Sequence, residues 1–184
     1  MTETQAEALV AGRISPGLLD HCRGVGRYAA QLAQRWGAPV DEALVGGLLH
    51  DYCREMTGAQ ILERCHDLDV PVSELERRRP VQLLHARLAA AELSSQDLSA
   101  DCLDAIARHT VGGAGMSLLA QCLYVADTAE PGRTYKGAAG LRVLAVESLR
   151  DAVLASAART LQHLVERGRP IHPDTIALYN ELTS

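Results

Sequence analysis

The chain has 184 residues, of which 47% are hydrophobic and 22% charged, and its formal net charge is −5. This length fits a single globular domain with a full-sized core. The negative charge and an aromatic content of only 3% disfavour nucleic acid as a partner. No apolar run is long enough to predict a membrane span. A phosphate-bearing ligand would therefore need a local positive site, which a bound metal ion could supply.

The N-terminus carries no basic segment followed by an apolar one, so no secretory signal is predicted. Five cysteines occur, and none forms a C-x-x-C pair: Cys22, Cys53, Cys65, Cys102 and Cys122. An odd number without such pairs predicts reduced, packed thiols rather than a disulfide framework or a structural zinc site. Together these features indicate a cytoplasmic protein.

Hydrophobic periodicity predicts helices almost throughout the chain and no strand. Residues 1–14 are interpreted as an N-terminal extension or helix, and residues 15–184 as the single domain. Ser15 followed by Pro16 is typical of a helix start. The apolar stripe that follows runs to Gly37, where this first long helix is predicted to end.

The second helix of the domain is predicted to begin near Pro39. Capping-box patterns at Thr57 and Ser73 predict two short helices. Gly168 is a suitable C-terminal cap for a long helix that precedes it. The remaining helical segments are predicted at about 81–94, 99–109, 115–128, 139–147, 148–167 and 173–182.

Four histidines and two aspartates fall on the apolar faces of these predicted helices. His21, for example, lies three residues after Leu18 and four before Val25, which places it on the apolar stripe. Helical spacing gives the same result for each member of the set: His21, His50, Asp51, His85, His109 and Asp127.

Burial of six such groups without partners would cost several kcal/mol each, or force them into their neutral forms. A divalent metal ion would let them partner one another, because imidazole and carboxylate are its normal ligands. A single histidine on an apolar face is more often a satisfied core residue. A helical interaction protein with a polar core, binding no metal, therefore stays open as an alternative.

Several other polar residues carry weaker signals. Three histidines beside charged or loop residues are interpreted as surface groups: His66, His163 and His172. The basic run at 77–79 is interpreted as a solvated segment rather than a phosphate site. Arg133 follows a turn of composition Glu-Pro-Gly, and it either faces the metal site, where its fork of donors would suit phosphate, or lies on the surface.

The spacing of the six groups resembles the HD-domain superfamily of metal-dependent phosphohydrolases, and more closely its YqeK-type branch. Four strings carry the resemblance: "GGLLHDYCRE" at 46–55, "LLHARLAA" at 83–90, "AIARHTVGGAGMSLLAQCLYVADTAEPGR" at 105–133 and "GRPIHPDTIALYN" at 168–180. The similarity extends from about Leu18 to Asn180. It implies an all-α, single-domain HD-type helical bundle with a buried metal site.

The resemblance further implies symmetrical hydrolysis of diadenosine tetraphosphate to two ADP by a metal-activated hydroxide. It implies a dinuclear site, with iron as the first choice and manganese, cobalt, nickel, zinc or magnesium as alternatives. One ion would be held by His21, His50, Asp51 and Asp127. The second would be held by His85, His109 and a shared Asp51. Catalytic roles are expected for Asp51, Arg54 and Arg133, and substrate contacts for Arg54, Thr110, Gly112, Arg133 and Lys136.

The sequence departs from the branch at positions expected to contact nucleotide. Arg54 stands where a lysine is frequent, and Thr128 and Tyr179 replace a tyrosine and an arginine. Adenine stacking on Tyr52 or Tyr135 is a hypothesis. Two alternatives stay open: another HD phosphohydrolase acting on a nucleoside mono- or triphosphate or a cyclic nucleotide, and a catalytically idle HD sensor. A homodimer is a further expectation.

Overall fold

A computed structural model describes all residues, 1–184, as a bundle of helices without a strand. The all-α prediction is thereby confirmed. The helices are α1 (Glu3–Ala11), α2 (Pro16–Trp36), α3 (Val40–Leu49), α4 (Gly58–Asp67), α5 (Glu74–Arg78), α6 (Pro80–Leu83), α7 (His85–Glu92), α8 (Ala100–Arg108), α9 (Leu118–Ala129), α10 (Ala138–Glu147), α11 (Leu149–Glu166) and α12 (Pro173–Thr183).

The helix starts follow the capping residues predicted from the sequence. The side chain of Ser15 accepts a hydrogen bond from the Leu18 amide at the start of α2, and Gly37 ends that helix in the left-handed conformation. Thr57 and Ser73 form complete capping boxes at the starts of α4 and α5. Each cap satisfies amide groups that the first helical turn leaves without partners.

Two predicted boundaries were wrong. The segment 81–94 is not one helix, because the chain breaks at Leu84 between α6 and α7. The segment 115–128 begins later than predicted, at Leu118, where Ser117 caps α9. The preceding turn uses Gly112 at φ 70° and Gly115 at φ 69°, a region that L-residues rarely adopt.

Helices α2 and α3 pack with their backbones in direct contact. A Cβ atom added at Gly47 would lie 2.4 Å from the Cα atom of Gly26 and 2.6 Å from its amide nitrogen. Two glycines at the crossing therefore allow an approach that side chains would prevent. This approach sets the distance between His21 on α2 and His50 at the end of α3.

The remaining helices close one core around this pair. Helix α1 contributes Ala6 and Val10, both fully buried, so residues 1–14 pack into the same core as the rest. All five cysteines are buried and unpaired, as predicted for packed thiols. Burial raises the pKa of Cys122 to about 12, which leaves its thiol protonated and unreactive. None of the helices combines the length and the apolar character that a bilayer crossing requires.

One of the three histidines interpreted as surface residues is not on the surface. His66 and His163 are exposed as predicted, but the side chain of His172 is only 10% exposed. It caps the start of α12, where its Nδ1 accepts a hydrogen bond from the Asp174 amide. The Nε2 atom then carries the proton and faces the buried Glu76 carboxylate at 3.6 Å.

Candidate metal centre

The six residues predicted as ligands meet at the ends or on the inner faces of five helices. His21 lies on α2, His50 and Asp51 directly follow α3, and His85 opens α7. His109 follows α8, and Asp127 lies near the end of α9. Helix ends place short loops around one point, which lets side chains from distant parts of the sequence converge. We call these six residues the His/Asp cluster.

Asp51 lies at the middle of the His/Asp cluster and uses both carboxylate oxygens. Its Oδ1 is 3.1 Å from Nε2 of His85 and 3.5 Å from Nε2 of His109. Its Oδ2 is 3.4 Å from Nε2 of His50. The carboxylate thus faces one histidine with one oxygen and two with the other, an arrangement suited to bridging two positive centres.

Asp127 closes the other side of the cluster. Its Oδ1 lies 3.0 Å from Nε2 of His21 and 3.7 Å from Nε2 of His50. Two groups of possible ligand atoms result, His21 with His50 and Asp127, and His50 with Asp51 and His109. His50 belongs to both groups, whereas the resemblance assigned it to one ion only.

All four histidines of the cluster turn the same ring nitrogen inward. The Nδ1 atoms of His50, His85 and His109 each face a backbone carbonyl oxygen of their own chain segment at 2.7–2.8 Å. The Nδ1 atom of His21 faces the Glu130 carboxylate at 3.3 Å. Each of these contacts places a proton on Nδ1, so each Nε2 points into the cluster and offers a lone pair to a metal ion whenever the ring is neutral.

The residues fit a metal ion because more lone pairs converge here than there are protons to share between them. The Nε2 atoms of His85 and His109 approach to 3.1 Å, and Asp51 Oδ1 lies beside both. A single hydroxyl, that of Thr110, is within reach of the two nitrogens and has one proton to donate. The buried Nε2 of His50 has no hydrogen-bond partner at all. A cation among these atoms would remove the repulsion and satisfy the orphaned nitrogen.

The charges of the cluster stabilise one another in the protein alone. Burial would raise the pKa of Asp51, but the charge of His50 and hydrogen bonds from His109 and His85 outweigh it and lower that pKa. Burial likewise opposes protonation of His50, yet the Asp51 carboxylate outweighs it and raises the pKa of His50. Burial lowers the pKa of His85 to about 4. Protons therefore compete with metal for this site, mainly at His50.

Arg133 lies at the solvent side of the cluster. Its Nη2 is 2.9 Å from Asp127 Oδ1 and 3.1 Å from His21 Nε2, while its Nε donates to the Asp127 carbonyl oxygen at 3.0 Å. With 41% of the side chain exposed, the guanidinium also faces solvent. Of the two positions considered from the sequence, the structure shows the one that faces the cluster.

The other predicted catalytic and substrate residues lie in different environments. Arg54 donates to the Val81 carbonyl oxygen at 3.3 Å, and its charge helps to lower the pKa of His85. Lys136 is exposed on the loop before α10. Gly112 is buried, and its amide donates to the Arg108 carbonyl oxygen at 2.8 Å. Its amide is therefore not free for the predicted contact with substrate. Only its carbonyl oxygen, or a close approach that the missing side chain allows, is left for that role.

The two tyrosines suggested for adenine stacking are each covered on one face by an arginine. The guanidinium carbon of Arg13 lies 4.6 Å from the ring centre of Tyr52, and that of Arg159 lies 3.7 Å from the ring centre of Tyr135. Such cation–π pairs leave at most one face of each ring for a base. Stacking on either ring stays a prediction.

Glu130 is a site residue that the sequence analysis missed. Its side chain is 8% exposed, and its Oε2 accepts a hydrogen bond from the Gly132 amide at 2.5 Å. A Cβ atom at Gly24 would lie 2.8 Å from the same oxygen, so that glycine makes room for the carboxylate. Glu130 follows Asp127 by three residues, and this helical spacing could have placed both on one face.

Glu130→Gln is expected to weaken metal binding by roughly ten-fold or more, as is usual for the loss of a carboxylate that orients a ligating histidine. Glutamine keeps the size of the side chain but removes the charge that fixes the proton on His21 Nδ1. The measurement is metal affinity by competition with a chromophoric chelator. Glu147→Gln, on an exposed glutamate, is the control. Equal affinities in the two variants would show that Glu130 does not orient His21.

The comparisons with known proteins agree with this geometry. The HD domain family model matches residues 18–132. Two relatives are named symmetrical bis(5'-nucleosyl)-tetraphosphatase. The Bacillus subtilis protein is 33% identical over 100% of this chain and 99% of its own length. The Halalkalibacterium halodurans protein is 32% identical over 99% of this chain and 97% of its own length. A Staphylococcus aureus relative of the same name is 24% identical over 98% of this chain and 94% of its own.

A solved structure has the same fold along the whole chain. It is the crystal structure of a predicted HD superfamily hydrolase involved in NAD metabolism from Clostridium acetobutylicum. The two superpose with a TM-score of 0.93 at 30% sequence identity, covering 100% of this chain and 97% of the other. Such agreement over the full length excludes a chance likeness of one helical segment.

The fold and the site together define a helical hydrolase with a buried cluster of histidines and aspartates, suited to a divalent metal ion. The chain belongs to the HD domain family. The resemblance read from the sequence is thereby confirmed, including its closer match to the YqeK-type branch. The phosphohydrolase class is supported at the level of the family.

Proposed function

We propose that this protein hydrolyses diadenosine tetraphosphate symmetrically to two ADP. The observation that carries the proposal is the central position of Asp51, whose Oδ2 faces His50 and whose Oδ1 faces His85 and His109. Full-length relatives named for this reaction at 32–33% identity support the choice of substrate.

A divalent metal bound by the cluster would supply Lewis-acid activation of water and of the phosphoryl oxygens. We propose a dinuclear centre with iron as the first choice, as the family resemblance implies. The ligand types suit several other first-row ions as well. Arg133 and Arg54 would bind phosphate oxygens and stabilise the charge that develops on the departing ADP. Thr110 would hold its hydroxyl toward the nitrogens of His85 and His109, and Lys136 would add charge at the mouth.

The cellular location and the oligomeric state are also proposals. The buried thiols and the nucleotide substrate favour the cytoplasm, and a homodimer stays a prediction. The HD-type sensor without turnover is disfavoured, because the six cluster residues are all present and converge. The alternative that another nucleotide is the substrate is tested in the same assay as the main proposal.

The proposal is tested by product analysis. Metal-loaded protein, prepared without oxygen, is incubated with diadenosine tetraphosphate, and the products are separated by chromatography. We expect ADP as the sole product. AMP with ATP in equal amounts would contradict the symmetrical cut, since a different phosphoanhydride bond would then have broken.

A panel run in parallel separates the remaining alternatives. It contains a nucleoside monophosphate, a nucleoside triphosphate, a cyclic nucleotide and NAD, the last because the Clostridium acetobutylicum structure is described in terms of NAD metabolism. Faster turnover of any of these than of diadenosine tetraphosphate would replace the proposed substrate. Stoichiometric nucleotide binding without turnover of any of them would favour the sensor.

A further inference from the structure

A cavity of about 160 Å³ lies beside the His/Asp cluster. It is bounded by the junction of α5 and α6, the turn after α8, and the segment that joins α11 to α12. Thr110 lines the cavity, and its Oγ1 is 3.0 Å from His109 Nε2 and 3.2 Å from His85 Nε2. One threonine side chain therefore separates the cavity from the nitrogens of the cluster.

The cavity is locally positive in a protein whose net charge is −5. Arg79 and Arg169 line it, and no carboxylate does. The acidic side chains nearest to Arg79 in the sequence are bound elsewhere, since Glu74 pairs with Arg78 at 3.0 Å and Glu76 pairs with Arg87 at 2.5 Å. The two arginines of the cavity thus have no ion-pair partner and are available to an anionic ligand.

The basic run at 77–79 consequently divides into three different environments. Arg77 is exposed, and Arg78 forms an ion pair with Glu74 on the surface. Arg79 lies between α5 and α6, at φ −141° and ψ 55°, and its side chain lines the cavity. Arg79 is half-buried and therefore less solvated than its two neighbours, because Pro80 begins a new helix and the chain turns before it.

The buried Glu76 lies behind His172, one of the residues that line the cavity. Its carboxylate binds the capping Ser73 and Arg87, and it lies 3.6 Å from His172 Nε2. A wider depression of about 680 Å³ shares Arg79, Gln82 and Pro170 with the cavity and opens to solvent. The cavity beside Thr110 and this depression therefore adjoin at Arg79, Gln82 and Pro170.

We propose that this cavity binds the diphosphate of one nucleotide half of the substrate, with Arg79 and Arg169 contacting its phosphate oxygens. This inference rests on the proposed function, and it means that one of the two product ADP molecules occupies the cavity. Arginine suits the role because its planar fork of donors matches phosphate oxygens. The half of the substrate next to Arg133 would then lie on the opposite side of the cluster.

The test measures ADP binding to the metal-loaded full-length protein by calorimetry, with adenosine as a second probe. Arg79→Ala and Arg169→Ala are each compared with a matched neighbour, Arg77→Ala and Arg167→Ala, which lie outside the cavity and lose the same charge. We expect each cavity variant to bind ADP roughly ten-fold or more weakly than its matched control. Adenosine binding and metal content are expected to stay unchanged.

Cavity variants that bind ADP within about two-fold of their controls would overturn the inference. An equal loss of adenosine affinity would overturn it as well, since the contact would then not be to phosphate. If the wild-type protein fails to cleave diadenosine tetraphosphate but the arginine dependence of ADP binding is found, the proposed function falls and the diphosphate site stands. Circular dichroism of each variant shows whether it is folded.

Discussion

Asp51→Ala is expected to abolish turnover and to leave the protein with little or no bound metal. The carboxylate is the one group of the cluster that faces three histidines, His50, His85 and His109, at 3.1–3.5 Å. Without it, no carboxylate lies directly beside Nε2 of His85 and Nε2 of His109 to balance a bound cation. Loss of metal would remove several kcal/mol of transition-state stabilisation, which is a decrease in rate on the order of 1,000-fold.

The effect is measured by elemental analysis and by the rate of ADP release, in the same preparation. Asp20→Ala is a suitable control, because Asp20 directly precedes His21 in the sequence while its side chain is 73% exposed and pairs with Arg23. Exposed pairs of this kind contribute at most about 1 kcal/mol, so this control should fold and turn over normally. An Asp51→Ala protein that keeps both metal and activity would refute the assigned role of the carboxylate.

Gly47→Ala is expected to destabilise the fold by about 3 kcal/mol or more, at the upper end of what overpacking costs. The added methyl group would lie 2.4 Å from Gly26 Cα, and backbone cannot move aside as a flexible side chain can. Helices α2 and α3 would have to separate. Since they carry His21 and His50, metal affinity is expected to fall together with stability.

Gly46→Ala is the matched control for that variant. Its added methyl group would lie 3.4 Å from Cys102 Sγ and 3.7 Å from a methyl carbon of Leu123, which are ordinary contacts. Alanine also favours a helix interior over glycine by about 1 kcal/mol, so this variant should unfold at the same temperature or higher. Thermal unfolding monitored by circular dichroism gives the comparison. Similar unfolding temperatures for the two variants would show that the α2–α3 contact is looser than described.

Much of the fold could be predicted from sequence because local signals and global structure agree. Ser15, Thr57 and Ser73 cap the helices that their capping patterns indicated. The inward placement of the six cluster residues also followed from helical spacing, since a polar group on an apolar stripe has few places to point other than the core. The break at Leu84 was missed because no proline or glycine occurs there to mark it.

Features that depend on contacts between distant segments were not predictable in this way. The sequence around Glu130 predicts a surface turn. Only the contact of its carboxylate with His21 Nδ1, on another helix, shows that it orients that histidine. Nothing in the sequence around His172 indicates a buried partner, yet it faces Glu76, which lies far away along the chain. Arg79 differs from its two arginine neighbours only through the path of the chain. A single sequence contains no local signal for such pairings.

The most direct test of the His/Asp cluster as a metal centre is a metal titration of protein freed of metal by chelation. Ferrous iron is added without oxygen, bound metal is counted by elemental analysis, and ADP release from diadenosine tetraphosphate is measured at each point. We expect no turnover in the chelated protein, and a rate that rises with bound metal up to about two ions per chain. Full turnover by protein that holds no metal would contradict the assignment of the His/Asp cluster as the catalytic centre.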